Sequence, residues 1–245
     1  MSAATAMISS EAKLLLRNPG VVLWTVVLPV VAAVVLGALP ATNSAADSLG
    51  GLSFFQVFQP VLVLFAVALL AVTSLPDVLT RYREMGVLKR LRTTPASPAL
   101  LLSAQLVLTT GVALLCAVLM VVVPTFFGAP WPQNPAGFLI AFLLTVWAML
   151  GIGLVIASLF RNAKVAAGFG TLLFFVLQFF AGLWVQRPLM PGWLRTVSDF
   201  TPSGAGVQAL TDSGAGQWPA FQGILVLLAW GIVTSLVAAR VFKWE

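Results

Sequence analysis

The sequence predicts an all-α membrane protein with six transmembrane helices. Apolar residues make up 60% of its 245 residues and charged residues only 8%, a balance that soluble domains do not have. The apolar residues are concentrated in six charge-free segments, each long enough for the roughly 20 helical residues that cross a bilayer. The basic residues lie between particular pairs of these segments, which predicts the topology.

We place the six spans in a single transmembrane domain covering 1–245. All but two of the 13 Lys and Arg residues lie before span 1, after span 6, or in the connections that follow spans 2 and 4. Basic residues collect on the cytoplasmic side, so both termini are expected in the cytoplasm and the protein in a bacterial inner (plasma) membrane. The predicted spans are 21–39, 54–76, 99–127, 137–160, 165–186 and 219–239.

The segment before span 1, residues 1–20, is predicted to form an elbow helix along the inner leaflet. Apolar side chains alternate there with charged ones, and Asn18, Pro19 and Gly20 favour a bend into the membrane. The apolar run that follows is too long for a cleaved signal peptide, so we expect the segment to stay attached. The charged elbow residues are Glu11, Lys13 and Arg17.

A cytoplasmic amphipathic helix is predicted over 76–92, between spans 2 and 3. Apolar residues recur there at spacings of three and four, which places them on one helical face, and basic residues fill most of the remainder. Pro76 and Asp77 suit the first helical turn. The apolar stripe consists of Val78, Tyr82, Met85, Leu88 and Leu91.

The outer connection, 187–218, is too apolar for a solvated loop. Trp193, Val197 and Phe200 recur at helical spacing, so we expect a short helix that lies in the outer leaflet or dips into it as a re-entrant segment. An ordinary loop that follows the membrane interface is the alternative.

Several kinds of chemistry find no support in the sequence. Histidine is absent and Cys116 is the only cysteine, so we expect no metal site, no disulfide and no enzymatic activity. The predicted spans contain no ionisable residue, whereas gradient-driven transporters usually keep one at membrane depth. No Gly-Lys-Ser or Gly-Lys-Thr occurs, so energy from ATP would have to come from another chain. The positive charge is explained by topology, and we expect no nucleic-acid partner.

The segment RYREMGVLKRLRTTP at 81–95 resembles the one that follows the second span in type-2 ABC export permeases, which include daunorubicin-type exporters. The likeness extends to the elbow, to FAGLW at 180–184, and to PGWL and FTP in the outer connection, so it covers nearly the whole chain. It implies a membrane subunit that pairs with itself or a close paralogue and with two copies of a separate ABC ATPase. ATP and Mg would bind to that ATPase, and its closure would switch the pathway from inward to outward access.

The resemblance also implies roles for residues of 76–92. The amphipathic helix would be the coupling helix that contacts the ATPase, and Gly86 would allow close approach of another backbone. Glu84 either contacts the ATPase or forms an internal salt bridge with neighbouring arginine or lysine, and both alternatives stay open. The implied contact residues are Arg81, Tyr82, Arg83, Glu84, Met85, Gly86, Leu88, Lys89 and Arg90.

A substrate pathway is implied along spans 2 and 5. Its lining of amides and aromatics without charge suits an amphipathic or hydrophobic substrate such as a drug, an antibiotic or a lipid, so multidrug efflux and antibiotic resistance are expected. The alternatives are a non-transporting membrane subunit of a signalling or assembly complex and a secondary multidrug transporter. The implied pathway residues are Gln56, Gln59, Thr171, Phe174, Phe175, Gln178 and Gly182.

Overall fold

The computed structural model describes residues 3–87 and 98–241, and within them the chain is helical and has no β-strand. Six helices are long and apolar enough to cross a membrane, so the predicted all-α class with six spans is confirmed. Spans 1 to 6 are Pro19–Ala38, Phe54–Glu84, Pro98–Thr125, Pro135–Leu159, Ala163–Ala181 and Phe221–Val241.

A further helix, Ala3–Leu16, precedes span 1 and packs against span 3. Its Glu11 is hydrogen-bonded to Tyr82 near the end of span 2, and Arg83 is hydrogen-bonded to Phe160 just after span 4. The N-terminal helix and the ends of spans 2 and 4 therefore lie on one side of the bundle, which we call the inner side. Its assignment to the cytoplasm stays a prediction from the basic residues.

Spans 2 and 4 form the centre of the bundle. About two-thirds of the most apolar part of span 2 (67%) and of span 4 (61%) is buried, against 22–33% in the other spans. Fully buried side chains such as Leu64, Met120, Phe142 and Met149 join these two spans to span 3. The outer faces of spans 1, 3, 5 and 6 expose large apolar side chains, as lipid-facing helices do.

Span 2 contains a widened turn, a π-helix over Leu69–Ser74, in which Leu75 donates its N–H to Leu70 five residues back. Pro76 follows and has no N–H to donate. The carbonyl oxygens of Ala71 and Val72 lie instead against glycines of spans 4 and 5, so closely that a Cβ at Gly153 or Gly170 would overlap them. The wide turn thus accommodates Pro76 without ending the helix.

The prediction that a separate helix begins at Pro76 is therefore wrong, while its predicted end at Arg92 lies outside the described residues. The helix of span 2 continues without a break to Glu84, where Met85 caps it and Gly86 adopts a left-handed φ of 68°. A Cβ on Gly86 would meet no described atom of this chain within 4 Å, and its left-handed φ suits the helix end. Close approach of another chain's backbone at Gly86 stays a prediction. Leu88, Lys89 and Arg90 lie outside the described residues.

The outer connection contains two helices where one was predicted. Gly192–Asp199 is the first outer helix and exposes Trp193, whereas Pro202–Gly214, the second, is largely buried against spans 2, 4, 5 and 6. The sequence of the second resembles a loop because it is rich in Gly, Ser and Ala. These small residues instead allow tight packing, and Gly206 lies directly on Thr145 of span 4.

The turn between the two outer helices contacts span 6. Trp230 donates its indole N–H to the carbonyl of Phe200, in the turn between them, at 3.0 Å. Trp230 is nine residues into span 6, about 13 Å below its outer end at about 1.5 Å per residue. The second outer helix returns to the outer surface, where Gly214 accepts a hydrogen bond from Gln133. The turn between the outer helices therefore lies alongside span 6, well below its outer end, and a re-entrant position in the membrane stays a prediction.

Candidate functional site

Arg83 and Glu84, the last two residues of span 2, hold together the inner ends of spans 4 and 5. Arg83 donates from one guanidinium nitrogen to the carbonyls of Ala157 and Phe160, at 3.0 and 3.2 Å. Glu84 accepts a 2.9 Å hydrogen bond from the N–H of Ala163, the first residue of span 5. Two neighbouring side chains thus bridge the short connection between spans 4 and 5.

Both contacts satisfy backbone groups that a helix leaves unpaired at its ends. A guanidinium lies at the carboxyl end of span 4 and a carboxylate at the amino end of span 5, and each sign of charge suits its helix dipole. Asn162 completes the cap of span 5, since its side chain accepts from the N–H groups of Lys164 and Val165. We call Arg83 and Glu84 the helix-end clamp.

Glu84 therefore has a third role that neither of its two sequence-based alternatives included. Its carboxylate is bonded to a backbone N–H, and it forms no salt bridge with another described residue. Arg81, one of the arginines considered for that bridge, pairs with Asp77 one turn earlier at 2.9 Å. Glu84 is also exposed, so contact with a partner stays open.

The N-terminal helix is tied to the same end of span 2. The Glu11 carboxylate is buried and accepts from the Tyr82 hydroxyl, with both oxygens at 2.9 Å. Burial raises the pKa of Glu11, and the hydrogen bond from Tyr82 partly opposes that rise. Lys13 and Arg17, the other two predicted elbow residues, are exposed. Glu11 thus joins the N-terminal helix to the residue beside the helix-end clamp.

The seven residues predicted for a substrate pathway lie at several places on spans 2 and 5 of the single chain, and the pathway that they would line between two copies stays a prediction. On span 2, Gln56 completes the helix cap with Ser53, and Gln59 donates to the carbonyl of Met120 in span 3 at 2.8 Å. On span 5, Phe174 is buried and packs edge-on against Phe65, 5.2 Å between ring centres.

The other pathway candidates lie on span 5 or at its end. Thr171 and Phe175 are exposed, so this face is free for another chain or for lipid. Gly182 ends the span with a left-handed φ of 95°. Gln178 is fully buried, and neither atom of its amide has a hydrogen-bond partner among the described residues.

A buried polar cluster below the outer surface was missed by sequence reasoning. Arg187, treated there only as an outer loop residue, is 5% exposed and pairs with Asp199 while also donating to Ser198 and Gln208. The cluster fixes the first residues after span 5 to both outer helices. A signal was available, because an arginine in an apolar connection at membrane depth requires an acidic partner.

Asp212 extends this cluster and accepts from Gln208 at 2.7 Å. Burial raises the pKa of Asp212, while the hydrogen bonds from Gln208 and from the Ala220 backbone and the charge of Arg187 lower it. Residues from both outer helices and the start of span 6 therefore meet around one arginine.

Comparison with known proteins agrees with this architecture. The chain is 25% identical over 240 residues to the "Putative transport permease YvfS" of Bacillus subtilis (strain 168), and the match covers 94% of this chain and 92% of that protein. A family model described as ABC-2 type transporter matches residues 3–213, which include the N-terminal helix, five of the six spans and both outer helices. The chain belongs to the ABC-2 type transporter family of membrane proteins and is a transport permease.

Proposed function

We propose that this chain is the membrane subunit of an ATP-driven exporter that works as a dimer and is powered by two copies of a separate ABC ATPase. ATP and Mg bind to that ATPase. The substrate is amphipathic or hydrophobic, and it leaves by alternating access, as in multidrug efflux and antibiotic resistance.

The helix-end clamp is the observation that carries this proposal. Span 2 is one continuous helix of 31 residues, about 46 Å at about 1.5 Å per residue, longer than the hydrocarbon thickness of about 30 Å. Its protruding end binds spans 4 and 5 through Arg83 and Glu84. A partner that displaces this end moves three spans together, which is what an ATPase at the inner surface must do to open a pathway.

Reconstitution with its ATPase tests the proposal. The ATPase is identified by purifying the chain from its host, and both proteins are then placed in liposomes. We expect substrate-stimulated ATP hydrolysis and outward flux that stops when the catalytic carboxylate of the ATPase is neutralised. Flux driven by an ion gradient through this chain alone would indicate a secondary transporter, and a stable complex without any flux would indicate a non-transporting subunit.

A further inference from the structure

A cavity of about 710 Å³ lies at the inner side, between the N-terminal helix and spans 1, 2 and 3. Its volume is in the range of pockets that hold drug-sized molecules, about 300–1,000 Å³. Trp24 and Leu69 line its apolar part, and Glu11 and Asp77 line its polar part. None of the seven residues predicted for the pathway borders it, although Ala167 of span 5, one turn before Thr171, does.

The polar wall of this cavity is rich in hydrogen-bond acceptors. The hydroxyls of Thr25 and Thr73 donate to carbonyls of their own helices at 2.6 and 2.5 Å, and Tyr82 donates to Glu11. Each of these hydroxyls already donates its hydrogen, so its oxygen can act only as an acceptor for a ligand. The wall therefore favours a ligand that brings N–H donors.

Gln105 adds an acceptor without a partner. It borders the cavity from span 3 and is only 7% exposed, and its Oε1 has no hydrogen-bond partner among the described residues. A buried amide oxygen without a donor is costly. The Oε1 atom is itself buried, so a ligand N–H removes that cost once the Gln105 side chain turns towards the cavity.

The charges on the wall favour a cation. Three ionic side chains border the cavity, namely Glu11, Asp77 and Arg81. Asp77 and Arg81 neutralise each other in an ion pair, and the Arg81 side chain is 59% exposed. Glu11 has the Tyr82 hydroxyl as its partner and no ion pair with another described residue. One uncompensated carboxylate therefore remains in the wall.

We propose that this cavity binds a cationic amphiphile, an organic ammonium ion with an apolar body, whose ammonium group lies at Glu11 and whose body lies along Trp24 and Leu69. Such a ligand satisfies the acceptors and the charge, and the indole of Trp24 attracts a cation as well. This inference rests on the proposed function. In it, the cavity is the place where an export substrate enters from the inner leaflet.

The test measures binding to the purified chain in phosphatidylcholine nanodiscs without its ATPase. The probe is dansylcadaverine, an amphiphilic primary amine, and its N-acetyl derivative is the matched neutral compound. Binding is followed by energy transfer from tryptophan to dansyl. We expect Glu11→Gln, which keeps an acceptor for Tyr82, to weaken dansylcadaverine binding by about tenfold or more and to leave binding of the acetylated probe unchanged.

Two further variants locate the site, and a third is the control. Trp24→Phe should remove much of the energy transfer although seven other tryptophans remain, and Gln105→Leu should weaken binding of the amine. Asp47→Asn, at an exposed carboxylate in the connection between spans 1 and 2, should change nothing.

The proposal would be overturned if the Glu11→Gln variant bound dansylcadaverine as tightly as the unmodified chain does, and likewise the acetylated probe. Undiminished energy transfer in Trp24→Phe would overturn it as well, and this also decides the matter if Glu11→Gln does not fold. A phospholipid that co-purifies one to one and is not displaced by the amine would make the occupant a lipid. Amine binding without ATP-driven export would leave this site standing and refute the proposed function.

Discussion

Arg83 and Glu84 show how two adjacent residues can determine the arrangement of three helices. Each contact is a charge-assisted hydrogen bond to an unpaired backbone group, and each charge interacts favourably with a helix end by about 0.3–1 kcal/mol. Because Glu84 is exposed, its contribution is in the range of ordinary helix caps, about 0.5–2 kcal/mol. The clamp is thus strong enough to couple the helices and weak enough to open.

Substitutions at Glu84 should weaken the helix-end clamp by different amounts. Glu84→Gln keeps an oxygen acceptor for the Ala163 N–H, whereas Glu84→Ala removes it and Glu84→Arg places the wrong charge at the amino end of span 5. We expect hydrogen exchange of the first amides of span 5 to accelerate in that order, by roughly fivefold for Glu84→Ala, which corresponds to about 1 kcal/mol.

Transport coupling should fall in the same order while membrane insertion is kept. Arg195→Ala, in the outer connection, is the control and should leave the exchange of span 5 unchanged, because among the described residues the Arg195 side chain bonds only the carbonyl of Pro188. If Glu84→Ala and Glu84→Arg both retained full ATPase assembly and transport, the coupling role of Glu84 would be wrong.

At the scale of elements, the widened turn of span 2 is a second point of attachment to spans 4 and 5. The clamp joins the ends of these helices, and the carbonyls of Ala71 and Val72, about three turns earlier in span 2, reach the same two helices at Gly153 and Gly170. Two attachments at different depths prevent the inner half of span 2 from rotating against spans 4 and 5. These three segments should therefore move as one body.

Alanine substitutions test this contact with a control in the same helix. Gly153→Ala and Gly170→Ala each place a methyl group on a backbone carbonyl, so we expect destabilisation by about 1–3 kcal/mol, typical of overpacking. Gly168→Ala faces open space and should be neutral or stabilising by up to about 1 kcal/mol through helix propensity. Thermal unfolding in detergent measures all three. Equal melting temperatures would show that the glycines are not needed for close approach.

For the whole molecule, the decisive property is the side on which the helix-end clamp and the amphiphile cavity lie. The basic residues predict the cytoplasm, because lysine and arginine are retained there during insertion. The aromatic residues Phe126, Trp131, Trp218 and Phe221 are exposed around the opposite ends of spans 3, 4 and 6, as expected for a membrane interface.

Cysteine labelling checks this orientation. Cys116 is buried and is the only natural cysteine, so a Cys116→Ala background accepts single reporters. We expect Gln217→Cys, at the outer side, to react with a membrane-impermeant maleimide in intact cells. Arg161→Cys, beside the clamp, should react only after the membrane is permeabilised. The reverse pattern would place the clamp outside and exclude its contact with an ATPase.

The sequence by itself determined the class, the number of spans and their order, since these depend on where apolar side chains leave water and on segment length. It also pointed to Glu84 and Tyr82 as residues of interest. It could not assign the partner of Glu84, because a capped amide 79 residues away leaves no local pattern. The sequence indicates a helix start at Pro76 because proline favours the first turn of a helix, whereas the structure has a wide turn there that lies against glycines of spans 4 and 5.

Only the tertiary structure showed that Arg187 is buried, that the outer connection has a second helix and that a cavity lies beside Glu11. The small residues of 202–214 carry no apolar periodicity, and their burial follows from the close approach of spans 2, 4, 5 and 6. Composition and periodicity report which residues leave water, whereas the partner that each buried polar group finds there depends on how distant segments meet.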